Sequence, residues 1–209
     1  MKAEDQETRG RLLAAGARLF AERGFAKVTV RDICRKARAN VAAVNYHFGG
    51  KVGLYHEVLQ SAVRTMQSTT EAAREAGASQ APDRQLRAYV EVFLQRVIGG
   101  GHDSWIHQFM LREMSDPTPA LDTVIEQVIK PRMAYLCGII AELLGCPIDD
   151  TRVARCALSV HVQCLALMDN PVAARMSPAF AHTPQTLETM TDHIARFSLA
   201  GIREIGSRL

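Results

Sequence analysis

Residues Thr29–Lys51, TVRDICRKARANVAAVNYHFGGK, fit two short helices joined by a tight turn and little else. A Thr29 hydroxyl is suited to N-cap the first helix, and Asp32, three residues on, can return a carboxylate to the Thr29 N–H. Ile33 and Ala37 give that helix one apolar stripe. Asn40 can cap the second helix. There Val41, Val44 and Phe48 share a face and leave Ala42, Ala43, Asn45, Tyr46 and His47 turned away from it. Small outward residues let a helix approach base edges, an Asn amide matches adenine, and Tyr, His and Lys are ordinary phosphate partners. The pair reads as a helix-turn-helix shaped for a major groove.

The preceding residues supply a third helix, predicted over about Thr8–Arg23, with Leu12, Gly16, Leu19 and Phe20 on one side and Gly24 ending it. That side is expected to close a small core with Phe25, Ile33 and Phe48. Residues 1–60 hold eleven Lys and Arg against six Asp and Glu, a net charge of +5. The whole chain carries +3, so the remainder is −2. A basic head on a slightly acidic body suits a polyanion bound at one end, because counterion release from a duplex depends on local charge. A solvated basic face without a partner is the bland alternative.

The ending NYHFGGK, preceded by TVRDI and a long amphipathic helix, resembles the tetracycline-repressor (TetR) family over roughly residues 8–60. The resemblance implies an all-α chain in which a three-helix DNA-binding domain, residues 1–50, precedes a helical ligand-binding and dimerisation domain, residues 51–209. It implies that Ala42, Ala43 and Asn45 lie near bases and Thr29, Tyr46, His47 and Lys51 near phosphates; apart from the resemblance, Arg31, Arg38 and Asn40 are expected to complete the DNA-facing set. Two positions depart from the family: Arg38 stands in the turn where Gly is frequent, and Ala43 lacks the hydroxyl often found there. Arg38 must then adopt a left-handed backbone at some cost or shift the turn. LREMSDPTPALD and MDNPVAARM are similar to the C-terminal domain of the branch named for CecR and CerR.

Beyond the head, about 150 residues suffice for a second core. Hydrophobic residues make up 47% and aromatics only 6%, a balance that favours packed helices over sheets. No signal-peptide pattern and no run of about 18 apolar residues is present, so the expected protein is cytoplasmic, with no membrane partner. Five cysteines without a C-x-x-C pair indicate neither a disulfide framework nor a zinc ribbon. No cofactor is implied. His161 and Cys164, on one helical face, with His102 and His107 at a distance, leave a metal or thiol sensor open.

Periodicity predicts a fourth helix from Lys51 to about Ala76, a fifth over Asp83–Ile98, a sixth over Ser104–Met114, and a long seventh reaching Leu144 with a kink near Pro131. Phe93, Trp105, Phe109, Met110, Met133 and Tyr135 are candidates to enclose a small-molecule effector, with Arg112, Glu113, His102, His107 and His161 as polar anchors. Plain core packing is the rival reading of each. The last two long helices, about Asp150–Met168 and Pro184–Gly206, carry stripes at Val153, Ala157, Val160 and Cys164 and at Ile194, Phe197 and Gly201. In the TetR family the corresponding pair joins two copies, so these residues are the expected homodimer interface. Completion of a monomeric core is the alternative.

These readings converge on a transcriptional repressor that a small-molecule effector releases from an inverted-repeat operator on double-stranded DNA. A metal- or redox-responsive regulator keeps the role and changes the effector. An all-helical enzyme would need a nucleophile with its base, paired carboxylates or a metal, and no spacing supplies one. A protein-interaction module would leave the +5 head unexplained.

Overall fold

Capping chemistry at the chain's turns sets where its helices start and stop. The computed structural model describes residues 2–98, 104–167, 175–177 and 183–207, and among them long segments are helical and none is a strand. The helices are α1 (Lys2–Lys27), α2 (Val30–Ala37), α3 (Val41–Phe48), α4 (Lys51–Gly77), α5 (Pro82–Ile98), α6 (Ser104–Ser115), α7 (Pro119–Val124), α8 (Lys130–Leu144), α9 (Thr151–Leu165) and α10 (Pro184–Ser207). The all-α expectation is met. His102, expected as a polar anchor, lies outside the described residues.

At α2 the capping box is complete: the Thr29 N–H donates to Asp32 Oδ2 at 3.2 Å, and the Asp32 N–H donates to Thr29 Oγ1 at 3.2 Å. The Thr29 hydroxyl and then the Thr29 N–H, both donating to Oδ2, with Arg35 beside it, hold the Asp32 carboxyl below the usual carboxylate range. Arg38 ends α2 with φ 51° and ψ 49°, the left-handed conformation its sequence position demands. Asn40 caps α3 by accepting the Ala42 N–H at 3.0 Å, and Gly49, with φ 67°, closes it. A Cβ at Gly53 would lie 1.7 Å from the Phe48 carbonyl oxygen, so only glycine lets α4 leave α3 at this angle.

The chain packs as two units. One comprises residues 1–65 and 102–125, the other residues 66–101 and 126–209, so α4 belongs to both. In the first unit Leu12, Phe20, Ile33, Val44, Leu54, Val58 and Phe109 are fully or nearly fully buried, each worth about 1.5–3 kcal/mol relative to exposure. The sixth helix joins this unit, packing on α1, which the division at residue 50 does not anticipate.

The reason is chemical. Gly24, with φ 78° and ψ 163°, interrupts α1 and leaves carbonyls of its last regular turn without intrahelical donors. Arg112 Nη2 donates to the Glu22 carbonyl at 2.8 Å, its stem 3.4 Å from where a Gly24 Cβ would stand. On the next residue, the buried Glu113 carboxylate receives the Tyr55 hydroxyl from α4 on one oxygen. Its other oxygen receives the Thr118 hydroxyl at 2.7 Å and the Thr118 N–H at 3.1 Å. Every lone-pair direction that matters is used, which is the condition for a buried carboxylate to be tolerated.

In the second unit Leu86, Tyr89, Val90, Phe93, Leu136, Ile140, Val153, Ala157, Val160, Cys164, Ile194 and Ile202 form one core of α5, α8, α9 and α10. Pro131 has no N–H for the Gln127 carbonyl four residues earlier, and the chain widens into a π turn over Ile125–Ile129. Gln67 Nε2 from α4 donates to that carbonyl at 3.1 Å. The disturbance expected at Pro131 is therefore present as a π turn whose opened carbonyl is used.

Candidate nucleic-acid interface and effector-domain residues

The predicted DNA-facing residues separate into two groups. Ala42, Asn45 and Tyr46 are exposed on α3, Tyr46 at 77%, with Arg31 on α2 and Arg38 in the turn exposed too, and Ala43 half-buried among them. This surface combines a short helix, a readable amide and two guanidinium groups. Four other residues have internal duties. Thr29 Oγ1 already donates to Asp32 Oδ2 at 2.6 Å, and Asn40 Oδ1 is taken by the cap. Lys51 Nζ stands 4.2 Å above the Phe25 ring. His47 is the least exposed of them: its side chain is only 8% exposed and its Nε2 lies 3.5 Å from Asp5 on α1.

The expected effector residues are divided between the two units. Trp105, Phe109, Met110 and Glu113 belong to the first unit and Phe93, Tyr135 and His161 to the second. Phe109 is core, in contact with Tyr55 at 5.7 Å between ring centroids, and Trp105 packs edge-on against it. Glu113, 2% exposed, has both oxygens occupied by the chain's own donors, so its expected role as a ligand anchor gives way to holding α6. Met110 is half-buried on the same helix.

In the second unit Phe93, Tyr89, His161 and Arg132 form a polar and aromatic cluster. The Tyr89 hydroxyl meets His161 Nδ1 at 2.9 Å, and the His161 ring lies edge-on to Phe93 with centroids 5.1 Å apart. Burial, then the Arg132 charge, pulls the His161 pKa down to about 4, so the imidazole is neutral at pH 7. Burial pushes the Tyr89 phenol up. Tyr135 donates to the Ala73 carbonyl at 3.2 Å, with the Arg74 guanidinium 4.9 Å above its ring. Two open grooves of about 470 and 290 Å³ mark this unit, both lined in part by Arg87, Glu91 and Gln95, and neither contains the expected effector residues.

Cys164 is fully buried and burial drives its thiol up to about 12, the opposite of the thiolate a redox sensor requires. His161 is engaged by Tyr89, and among the described residues no group of three His, Cys, Asp or Glu side chains is placed to hold a metal.

The expected dimer residues also divide. Val153, Ala157, Val160, Cys164 and Ile194 are buried inside the chain's own core and are unavailable to a second copy. Phe197, at 64%, and Gly201 are exposed as an interface would require. The opposite face of α9 carries Leu158, 57% exposed, with Val162 and Leu165, and α10 adds Ile205 beyond Phe197. Periodicity located one apolar stripe of α9, but α9 has two, and only packing decides which is internal. Among the described residues no helix is long and apolar enough to cross a membrane.

An all-helical chain that presents a capped, basic helix-turn-helix at one end is a DNA-binding transcriptional regulator. Residues 12–58 match the model for bacterial regulatory proteins of the tetR family, and residues 82–202 match that for the C-terminal domain of the HTH-type transcriptional dual regulator CecR. The HTH-type transcriptional dual regulator CecR of Shigella flexneri is 31% identical over 73% of this chain and 72% of its own length. A transcriptional regulator structure from Pseudomonas aeruginosa covers 98% of this chain and 95% of its own with a TM-score of 0.68 at 20% identity. A TetR-family regulator from Streptomyces coelicolor covers 95% of this chain and 97% of its own with a TM-score of 0.66 at 22% identity. The chain belongs to the TetR family of transcriptional regulators, with a CecR-type C-terminal domain.

Proposed function

We propose that this regulator is a repressor, released from an inverted-repeat operator when a small molecule fills the helical domain of residues 51–209, while residues 1–50 do the reading. It acts in the cytoplasm and turns over no substrate. The observation that carries the reading is the exposed α3 surface, where Ala42, Asn45 and Tyr46 stand together beside Arg31 and Arg38. Asn45 is assigned to a base edge, Tyr46, Arg31, Arg38 and Lys51 to phosphates.

A single eight-residue helix reads too few bases for useful affinity, so two copies related by a dyad are needed, and the operator then has two inverted half-sites. The exposed apolar residues Leu158, Val162, Leu165, Phe197 and Ile205 support α9 and α10 as the joining surface. Release requires an effector that prefers the state unable to bind DNA. A loss of about 100-fold in operator affinity corresponds to about 2.7 kcal/mol of coupling.

The test is selection of bound sequences from a random duplex pool at two salt concentrations, with the wild type, Asn45→Ala and Lys51→Ala. An enriched inverted repeat with steep salt dependence is expected. Asn45→Ala should change which sequences are enriched, and Lys51→Ala should weaken all of them and lower the salt slope by about one. Absence of an inverted repeat, or equal loss by Asn45→Ala on selected and random duplexes, would falsify the assignment.

A further inference from the structure

Arg132 on α8 is 8% exposed, yet among the described residues no carboxylate stands within ion-pair distance of it. Its partners are neutral. Nε donates to Thr70 Oγ1 at 3.2 Å, Nη2 donates to the Met66 carbonyl at 2.8 Å, and the guanidinium lies 5.1 Å from the Phe93 ring centroid. The adjoining Tyr89–His161 pair is neutral as well, so the cluster carries one uncompensated positive charge. Buried arginines are ordinarily paired, because a guanidinium stripped of water without an anion is costly. Of the five guanidinium N–H groups, Nε–H and one on Nη2 serve these two neutral acceptors, donors that would otherwise grip a carboxylate.

We infer that Arg132, with Phe93, Tyr89 and His161 around it, is the head-group end of a site for an organic anion, a carboxylate carried on an apolar or aromatic body. This deepens the effector reading above and rests on it. A carboxylate forms shorter and stronger bonds to a guanidinium than a carbonyl or hydroxyl does, so the ligand competes directly with Met66 and Thr70 for Arg132. Both of those acceptors belong to α4. Binding therefore exchanges a hold on α4 for a hold on the ligand, which gives the effector the differential affinity that release requires. His161, like Tyr135 and Met133, is half-buried and not sealed in the core.

The experiment uses 4-phenylbutyrate and octanoate as probes, with their primary amides as neutral matches, on the full chain and on Arg132→Met. Thermal melting and affinity for the selected operator are read at neutral pH and fixed ionic strength. Both carboxylates are expected to raise the wild-type Tm and to weaken operator binding by about tenfold or more, and the amides to do neither. Arg132→Met, which lacks the hold on Met66 and Thr70, is expected to bind the operator more weakly than the wild type even without a probe and to lose both responses. Carboxylates acting no better than amides on the wild type, or moving Arg132→Met as far as the wild type, overturn the site. If Arg132→Met does not fold, Arg132→Lys carries the test. It keeps the charge without the fork and must respond more weakly, an unchanged response overturning the assignment. The melting arm needs no DNA, so failure to find an operator would strike the repressor reading and leave the anion site separately decided.

Discussion

Arg38 occupies a backbone conformation that costs a side chain about 1 kcal/mol and costs glycine nothing comparable, with φ 51° and ψ 49°. Arg38→Gly should therefore raise the urea midpoint by the equivalent of about 1 kcal/mol while lowering affinity for all duplexes alike. Stability gained together with affinity lost would mean that the strain is retained for a phosphate contact; unchanged DNA affinity would remove Arg38 from the interface. His161 offers a second residue-scale prediction, in pH. Its folded pKa of about 4 lies below the unfolded value near 6.5, so the unfolded chain binds the proton more readily between those limits. Stability is full above about pH 6.5 and falls as pH drops toward 4, by up to about 3 kcal/mol from this group. His161→Gln should flatten that slope in urea titrations across the interval, and an unaltered slope would place the dependence elsewhere.

At the scale of elements, α6 is held to the first unit by Arg112 on the Glu22 carbonyl and by Glu113 on Tyr55 and Thr118. Tyr55→Phe removes one hydroxyl and leaves a buried carboxylate oxygen without its donor, a loss of about 2 kcal/mol measurable by denaturant titration. Replacing Tyr55 and Glu113 together by Phe and Leu should be less damaging than the sum of the single changes. None of this was legible in the sequence, because Tyr55 and Glu113 are 58 residues apart and nothing local marks them as partners. The caps of α2 and α3 were legible, since Thr29, Asp32 and Asn40 act on N–H groups within three residues of themselves. The effector residues are not legible in the way the caps are. An aromatic stripe on α6 fixes a face of the helix, but whether that face meets α1 or a ligand depends on residues far along the chain. His47 shows the limit within a motif: its place on α3 is legible, but its contact with Asp5, forty-two residues away, is not.

For the whole molecule, the outward face of α9 and α10 makes the sharpest demand. Leu158 and Phe197 are more than half exposed, and Leu158→Glu with Phe197→Glu alters no core contact. The double variant should sediment as a monomer with an unchanged helical signal and lose operator affinity by at least about 100-fold, the scale of one lost half-site. A dimer that persists would move the joining surface elsewhere. The fourth helix has a different kind of consequence. Its last part offers Met66, Thr70 and Ala73, four and then three residues apart and so on one helical face, to Arg132 and Tyr135 of α8. A single residue inserted between Met66 and Ala73 would turn part of that face by about 100° and leave Arg132 or Tyr135 without its acceptor. The spacing of these three residues is therefore as much a part of the protein's specification as the residues themselves.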